Sequence, residues 1–147
     1  RIDVDTGAVT TDSNINLTDS TPSISAIAYT NSFLGATATT GTTLYDLDSI
    51  SNNLYSQTPP NDGSLVLKGS TGITVGTQTG FDIAGGENGL ALATIALTTG
   101  PSTLYVIDLK TGMATPAAKL NGTASAAASM IGSSTTPALI DIAIMTR

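Results

Sequence analysis

The chain has 147 residues, a net charge of −6 and neither cysteine nor histidine, and its length suits one domain. Without Cys and His it has no disulfides, no Ser-His-Asp or Cys-His catalytic site and no His-based metal centre of its own. The 5 basic residues are scattered, which argues against nucleic-acid binding. No apolar run reaches the length of a transmembrane helix.

The composition favours strands and an exported protein. Charged residues make up 11% of the chain, against ~25% in an average soluble domain, while Thr, which suits a pleated sheet, is abundant. Low charge with many Thr and Gly is typical of extracellular or cell-surface bacterial proteins. We therefore expect one secreted all-β domain over residues 1–147. Because the chain has no initiator Met or signal peptide, we expect it to be processed or truncated at its N-terminus.

A repeat of strand, Asp, turn and strand begins at the N-terminus and recurs twice. The copies are residues 1–10, 44–55 and 104–115. In each copy an apolar-rich strand ends in Asp, and a turn with Gly or Asn follows. Asp accepts hydrogen bonds from turn amides, and Gly or Asn tolerates positive φ. The pattern predicts three hairpins, which align on Asp5, Asp48 and Asp108.

Short apolar strands are predicted between these hairpins. They cover residues 24–29, 80–84 with 89–93, and 138–144, each bounded by Gly, Ser, Thr or Pro. Strand and hairpin together make a unit of roughly 45–60 residues, the range of propeller blades. The Ala-rich residues 124–130 predict one short helix.

Several segments resemble the bacterial family known as domain of unknown function 4394. The matching stretches, in order, are residues 5–9, 28–33, 35–45, 59–65, 80–86 and 104–112. The resemblance implies a propeller-like all-β fold, an exported or surface-associated protein and no established activity. The chain resembles the later part of such a domain. We therefore expect antiparallel sheets in a β-propeller-like repeat arrangement that is partial, or is completed by another chain.

Four aspartates are candidate ligands for calcium, the one cofactor that the residues suggest. Asp3 and Asp5 stand in a D-x-D-x-G pattern, and Asp46 and Asp48 share one face of a predicted strand. Carboxylate oxygens suit calcium, and paired carboxylates suit acid–base chemistry. An EF-hand loop would also need a Glu where Asn14 stands. The favoured interpretation is that these Asp residues are turn acceptors or lie at solvated strand ends.

The first functional hypothesis is a non-catalytic extracellular structural or adhesive module, without catalytic or cofactor-binding residues. Unpaired end strands recruit other strands. The chain would then associate with itself or with the missing N-terminal part of its own domain, as an oligomer or a fibre. The candidate assembly residues are Ile2, Val4, Leu139, Ile140, Ile142 and Ile144.

Two other hypotheses stay open. A calcium-dependent hydrolase of propeller type would require that several carboxylates meet in one funnel. They are Asp3, Asp46, Asp82 and Asp141. A carbohydrate-binding module would require exposed aromatic side chains. Tyr45 and Tyr105 occupy the same repeat position beside a leucine, which indicates a structural role for both.

Overall fold

The fold is all-β, as predicted. The computed structural model describes residues 1–18, 20–33, 35, 41–85, 89–97, 100–118, 129–133 and 135–144. Over these ranges the chain forms two antiparallel sheets, and the 3-10 helix Pro60–Asp62 lies between two strands of the first.

The first sheet is a meander in which each strand pairs with the next. Its strands, in chain and spatial order, are β1 Ile24–Tyr29, β2 Leu44–Asp48, β3 Asn53–Gln57 and β4 Leu65–Ser70. The predicted hairpin of residues 44–55 joins β2 to β3, with Asp48 opposite Asn53. The 3-10 helix lies in the connection from β3 to β4, which ends in Gly63 with a φ of 70°. Hairpin connections therefore build the whole sheet from neighbouring segments.

The second sheet repeats this order and adds a short strand at one end. Its strands are β5 Gln78–Ile83, β6 Ala91–Ala96, β7 Ser102–Ile107 and β8 Ala114–Pro116, and β9 Met130–Ile131 pairs with the start of β7. The predicted hairpin of residues 104–115 joins β7 to β8.

One common core joins the two sheets. Leu47 lies opposite Leu54 on one face of the first sheet, and both side chains are fully buried. Phe81 lies opposite Ala93 on the facing side of the second sheet. Because side chains alternate between the faces of a strand, each sheet turns one face to this core. The buried core residues are Ala28, Leu47, Leu54, Val75, Phe81, Ile83, Ala91, Ala93, Ile95, Ile107 and Ala114.

A segment outside the named strands lies against each sheet. Residues 13–18 and 20–23, the N-terminal strap, bond beside the start of β4 to the carbonyls of Asn61 and Gly63, and Asn16 forms a parallel bridge with Ser64. At the other end the amide of Ser23 bonds to Asp48. Residues 137–144, the C-terminal strap, lie against the second sheet, where Asp141 closely approaches Gly80.

Two sequence predictions change in the structure. Residues 138–144 form no strand; the amide of Leu139 bonds to the side chain of Ser102 rather than to a strand backbone. Most of the predicted helix, residues 124–128, lies outside the described residues, and Met130 begins β9 instead. The described ranges contain two sheets and no closed ring of blades, so the propeller arrangement stays a prediction.

Candidate functional site

Three aspartates close three turns in the same way. Asp3 Oδ1 accepts bonds of 3.0 and 2.8 Å from the amides two and three residues further along. Asp48 accepts the equivalent pair at 3.1 and 3.1 Å, and Asp108 at 2.8 and 3.3 Å. The residue four positions after each Asp has a positive φ, and these residues are Gly7 at 70°, Asn52 at 57° and Gly112 at 80°. The turn-acceptor interpretation is therefore confirmed for this set.

In the structure the first copy of the repeat aligns with the other two on Asp3, two residues before the predicted Asp5. The acceptor in the N-terminal turn is Asp3, not Asp5, since Asp5 itself donates its amide to Asp3 Oδ1. The hydroxyl of Thr6 also donates to that oxygen, at 2.8 Å. Hydrogen bonds from Thr6 and Asp5 hold the pKa of Asp3 below its ordinary value. The sequence feature that identifies Asp3 as the acceptor is its spacing, because Gly7 follows it by four residues as Asn52 follows Asp48.

Asp48 is saturated with hydrogen bonds. Besides the amides of Ile50 and Ser51, its carboxylate accepts the amide of Ser23 at 2.7 Å and the hydroxyl of Ser51 at 2.6 Å. Burial alone would raise the pKa of Asp48, but the bonds from Ser51, Ser23 and Ile50 outweigh it and hold that pKa below the ordinary value. Two bonds on each oxygen leave Asp48 no lone pair for a metal ion.

Asp46 lies on the same face of β2 as Asp48 but differs from it in hydrogen bonding. The prediction of a solvated strand end is wrong for this pair, because Asp46 is 0% and Asp48 1% exposed. Neither carboxylate oxygen of Asp46 has a hydrogen-bond partner among the described residues. Burial raises the pKa of Asp46 to about 6. Asp46 pairs with Ile27 on β1 and with Tyr55 on β3, so it stands in the middle of the outer face.

Gln57 adds a third buried acceptor to this outer face. Its amide nitrogen donates to the carbonyl of Pro60, but its Oε1 atom, like the oxygens of Asp46, has no partner in the described part of the chain. Since Leu44 pairs with Gln57, the side chains of Asp46 and Gln57 are diagonal neighbours on one face. Unpaired buried oxygens are costly, which marks this face as a place where a proton or a further donor would be stabilising.

The structure does not bring the predicted metal ligands together. Asp3 and Asp5 lie in the N-terminal hairpin, whereas Asp46 and Asp48 lie in β2. Among the described residues no three carboxylates form a group that could hold a metal ion. Asp82, the further carboxylate of the hydrolase hypothesis, accepts the amide of Ile144 in the C-terminal strap.

The N-terminal hairpin, residues 1–10, exposes its apolar side chains. Ile2 pairs with Val9, and the amide of Asp3 bonds to the carbonyl of Ala8 at 2.9 Å. Yet Ile2 is 69%, Val9 73% and Val4 94% exposed. Two predicted assembly residues therefore lie on a free-standing hairpin.

The other predicted assembly residues lie in the C-terminal strap. The amide of Leu139 donates to Ser102 Oγ at 2.9 Å, and the carbonyl of Leu139 accepts the hydroxyl of Thr94 at 3.5 Å. Ile140 is exposed, while Ile142 and Ile144 are half-buried. The second sheet of the same chain thus already engages this segment.

The free edge of β4 is a feature that sequence reasoning missed. In the part of the chain that the structure describes, β4 pairs with β3 on one side and has no strand on the other. The bridge of Asn16 with Ser64 at its start and the contact of Gly69 with Thr111 at its end flank this second edge. Val66 and Leu67 are 51% and 57% exposed there. Their signal in the sequence is weak, because three consecutive apolar residues look like a buried strand.

The two tyrosines of the carbohydrate hypothesis contribute to packing. Tyr45 and Tyr105 are half-buried against the core. Tyr105 also lines a shallow groove of about 250 Å³, together with Ile73, Thr74, Ile95, Leu97, Gly100, Pro101 and Thr103. Both tyrosines thus contribute to packing at their shared position in the repeat.

Comparison with known proteins identifies the family. No helix among the described residues is long and apolar enough to cross a membrane. Neither the curated proteins nor the solved structures gave a match to the chain. One family model, described as Domain of unknown function (DUF4394), matches residues 1–130. This match covers most of the sequence, and the chain therefore belongs to the DUF4394 family.

Proposed function

We propose that this chain is a non-catalytic structural or adhesive module that works outside the cell and associates through its strands. The observation that carries the proposal is the N-terminal hairpin, on which Ile2, Val4 and Val9 are all more than two-thirds exposed. Burying such a side chain stabilises by roughly 1.5–3 kcal/mol. A two-stranded hairpin is marginal alone and gains most of its stability when it packs against other structure.

The use of the carboxylates supports a non-catalytic role. Asp3 and Asp108 accept their turn amides through Oδ1, and Asp48 accepts its own through both oxygens. A group that carries out acid–base chemistry must reach substrate, whereas Asp46, whose carboxylate has no partner among the described residues, is fully buried. The few charges and many hydroxyls of the sequence fit a protein of the cell surface.

The assembly state of the purified protein tests this proposal. Light scattering after gel filtration, over a range of concentrations, and negative-stain electron microscopy should show oligomers or fibres. The variant Ile2→Ser/Val4→Ser should shift the protein towards monomer. Ile50→Ser is the control, because Ile50 lies in another turn and its exposure of 64% is close to the 69% of Ile2. A wild-type chain that stays monomeric at all concentrations would contradict the proposal.

A calcium-dependent function has one observation in its favour, the buried oxygens of Asp46 and Gln57 that have no partner in the described part of the chain. Calcium prefers such oxygen ligands, but it needs six to eight of them. If calcium binds here, millimolar CaCl₂ should raise the melting temperature of the wild-type protein and not that of Asp46→Asn. An equal melting temperature with CaCl₂ and with a chelator would remove this alternative.

A further inference from the structure

We infer that the N-terminal hairpin of one copy adds to the free edge of β4 in a second copy, so that chains associate head to tail. The inference rests on the proposed self-association and names the two surfaces that carry it. The donor surface is the hairpin of residues 1–10, and the acceptor surface is the outer edge of β4 with Val66, Leu67 and Lys68.

The acceptor is the part of the β4 edge at Leu65–Lys68, between the bridge of Asn16 with Ser64 before it and the contact of Gly69 with Thr111 after it. β4 has six residues, without proline, and its two central apolar side chains are more than half exposed. By contrast, β8 has three residues and ends in Pro116, and proline blunts an edge. β1 and β5 pack against each other. A long flat edge with exposed apolar residues is a template for another strand.

The donor has the local structure of a hairpin that already belongs to a sheet. Both turns follow the sequence Ile-Asp, two further residues and Thr-Gly, at residues 2–7 and 107–112. In each turn the Gly amide bonds to the Asp carbonyl, at 2.8 Å. In the second case the strand before the Asp, β7, is also paired with β6 on its other side. Among the described residues the first strand of the N-terminal hairpin has no such neighbour, and we assign its outer edge as the one that pairs with β4.

Charge supports the same pairing. The hairpin carries Asp3 and Asp5 at its tip, and the acceptor edge carries Lys68. A second cation, Lys110, lies in the turn that contacts Gly69, since a Cβ on Gly69 would meet the carbonyl of Thr111. The acidic tip would therefore approach an edge flanked by two lysines. Complementary charges of this kind favour one partner and one register.

Two different surfaces on one chain make the contact heterologous. Each copy that joins through one of the two surfaces still offers the other, so that addition continues into a fibre or closes into a ring. Val66 and Leu67 project to opposite faces of β4, so apolar hairpin side chains contact Val66 on one face or Leu67 on the other and contribute to the affinity. The backbone hydrogen bonds between the two strands fix their direction.

A mixing experiment tests both surfaces at once. The hairpin variant Ile2→Ser/Val4→Ser and the edge variant Val66→Glu/Leu67→Glu each keep one intact surface. Each variant alone should be monomeric. An equimolar mixture should form heterodimers and nothing longer, while the wild-type chain forms longer assemblies. Circular dichroism and melting temperature check that both variants fold, and Val66→Thr/Leu67→Thr replaces the edge variant if glutamate prevents folding.

A charge exchange makes the test specific to these residues. Lys68→Glu should weaken association at least about tenfold, and Asp5→Lys in the same chain should restore it. If the hairpin variant is monomeric but the edge variant assembles like wild type, self-association stands and the β4 edge is the wrong acceptor. If the wild-type chain never assembles, the proposed function itself fails.

Discussion

Gly69 of β4 and Gly112 of the β7–β8 turn touch each other backbone to backbone. A Cβ on Gly112 would lie 2.7 Å from the carbonyl carbon of Gly69, closer than real Cβ atoms come, and a Cβ on Gly69 would overlap the carbonyl oxygen of Thr111. This contact ties the second sheet's hairpin to the end of the β4 edge. It therefore holds Lys68 and Lys110 on the same side of the molecule.

Replacing Gly112 by alanine should destabilise the fold. Alanine would strain at the positive φ of 80°, which costs roughly 1–2 kcal/mol, and would also clash with Gly69, which costs roughly 1–3 kcal/mol more. Gly7→Ala is the matched control, since Gly7 has the same turn position and a φ of 70° but nothing within 4 Å of its Cβ. Urea denaturation of both variants measures the difference; equal losses would contradict the backbone contact.

Replacing Asp46 by asparagine should stabilise the protein above pH 6. Burial raises the pKa of Asp46 from 3.8 in the unfolded chain to about 6 in the fold, so the folded state prefers the protonated form. Its contribution is fully present below pH 3.8 and is lost as the pH rises through about 6. The expected gain at pH 7.5 is on the order of 2 kcal/mol, after allowance for solvent screening.

Melting temperatures at pH 4 and pH 7.5 measure this effect. The wild-type chain should lose stability relative to Asp46→Asn between these values, and the two should be nearly equal at pH 4. Asp82→Asn is a useful control, because Asp82 lies on the outer face of the second sheet and has hydrogen-bond donors. An Asp46→Asn variant less stable than wild type at pH 7.5 would show that the ionised carboxylate has a stabilising partner.

Replacing Asp48 by alanine should cost more than the same change at Asp108. Asp48 is buried and holds the N-terminal strap through Ser23 as well as its own turn, whereas Asp108 is exposed and holds only its turn. Hydrogen bonds to a charged group contribute about 1.5–3 kcal/mol, so we expect a loss on the order of 3 kcal/mol at Asp48. The pKa of Asp48 is lowered, so this stability is present above its ordinary pKa and is lost as the pH falls through the lowered value.

Chemical denaturation at pH 7 compares these two alanine variants. Hydrogen exchange should also show faster exchange of residues 20–23 in Asp48→Ala, because the amide of Ser23 loses its acceptor. Unchanged exchange there would mean that the strap does not depend on Asp48.

Replacing Ser102 by alanine should loosen the C-terminal strap. Ser102 is fully buried, and its hydroxyl accepts the amide of Leu139 at 2.9 Å. A buried amide without an acceptor costs about 1–3 kcal/mol. Limited proteolysis should therefore cut residues 139–144 faster in Ser102→Ala than in wild type, and Ser13→Ala, on the other strap, should leave this rate unchanged.

Local chemistry made the turns predictable and left their register open. The repeat of Asp with Gly or Asn predicted three hairpins because acceptor and positive φ lie within four residues of each other. The predicted alignment of the first copy on Asp5 was wrong. Asp3 and Asp5 offer the same chemistry, and only the hydrogen bond from the Asp5 amide to Asp3 distinguishes them. The prediction of a strand at residues 138–144 was wrong, because an alternation of apolar residues does not show whether a neighbouring strand is available for pairing.

The sequence by itself determined an all-β chain with Asp-closed turns, without His or Cys chemistry, because composition and turn signals act over a few residues. Only the tertiary structure decided the roles of Asp46 and Asp48. Two residues apart on one strand, they look alike in the sequence, but the strap brings the amide of Ser23 to Asp48 and none to Asp46. Burial and hydrogen-bond supply depend on segments distant in the chain, as does the open edge of β4.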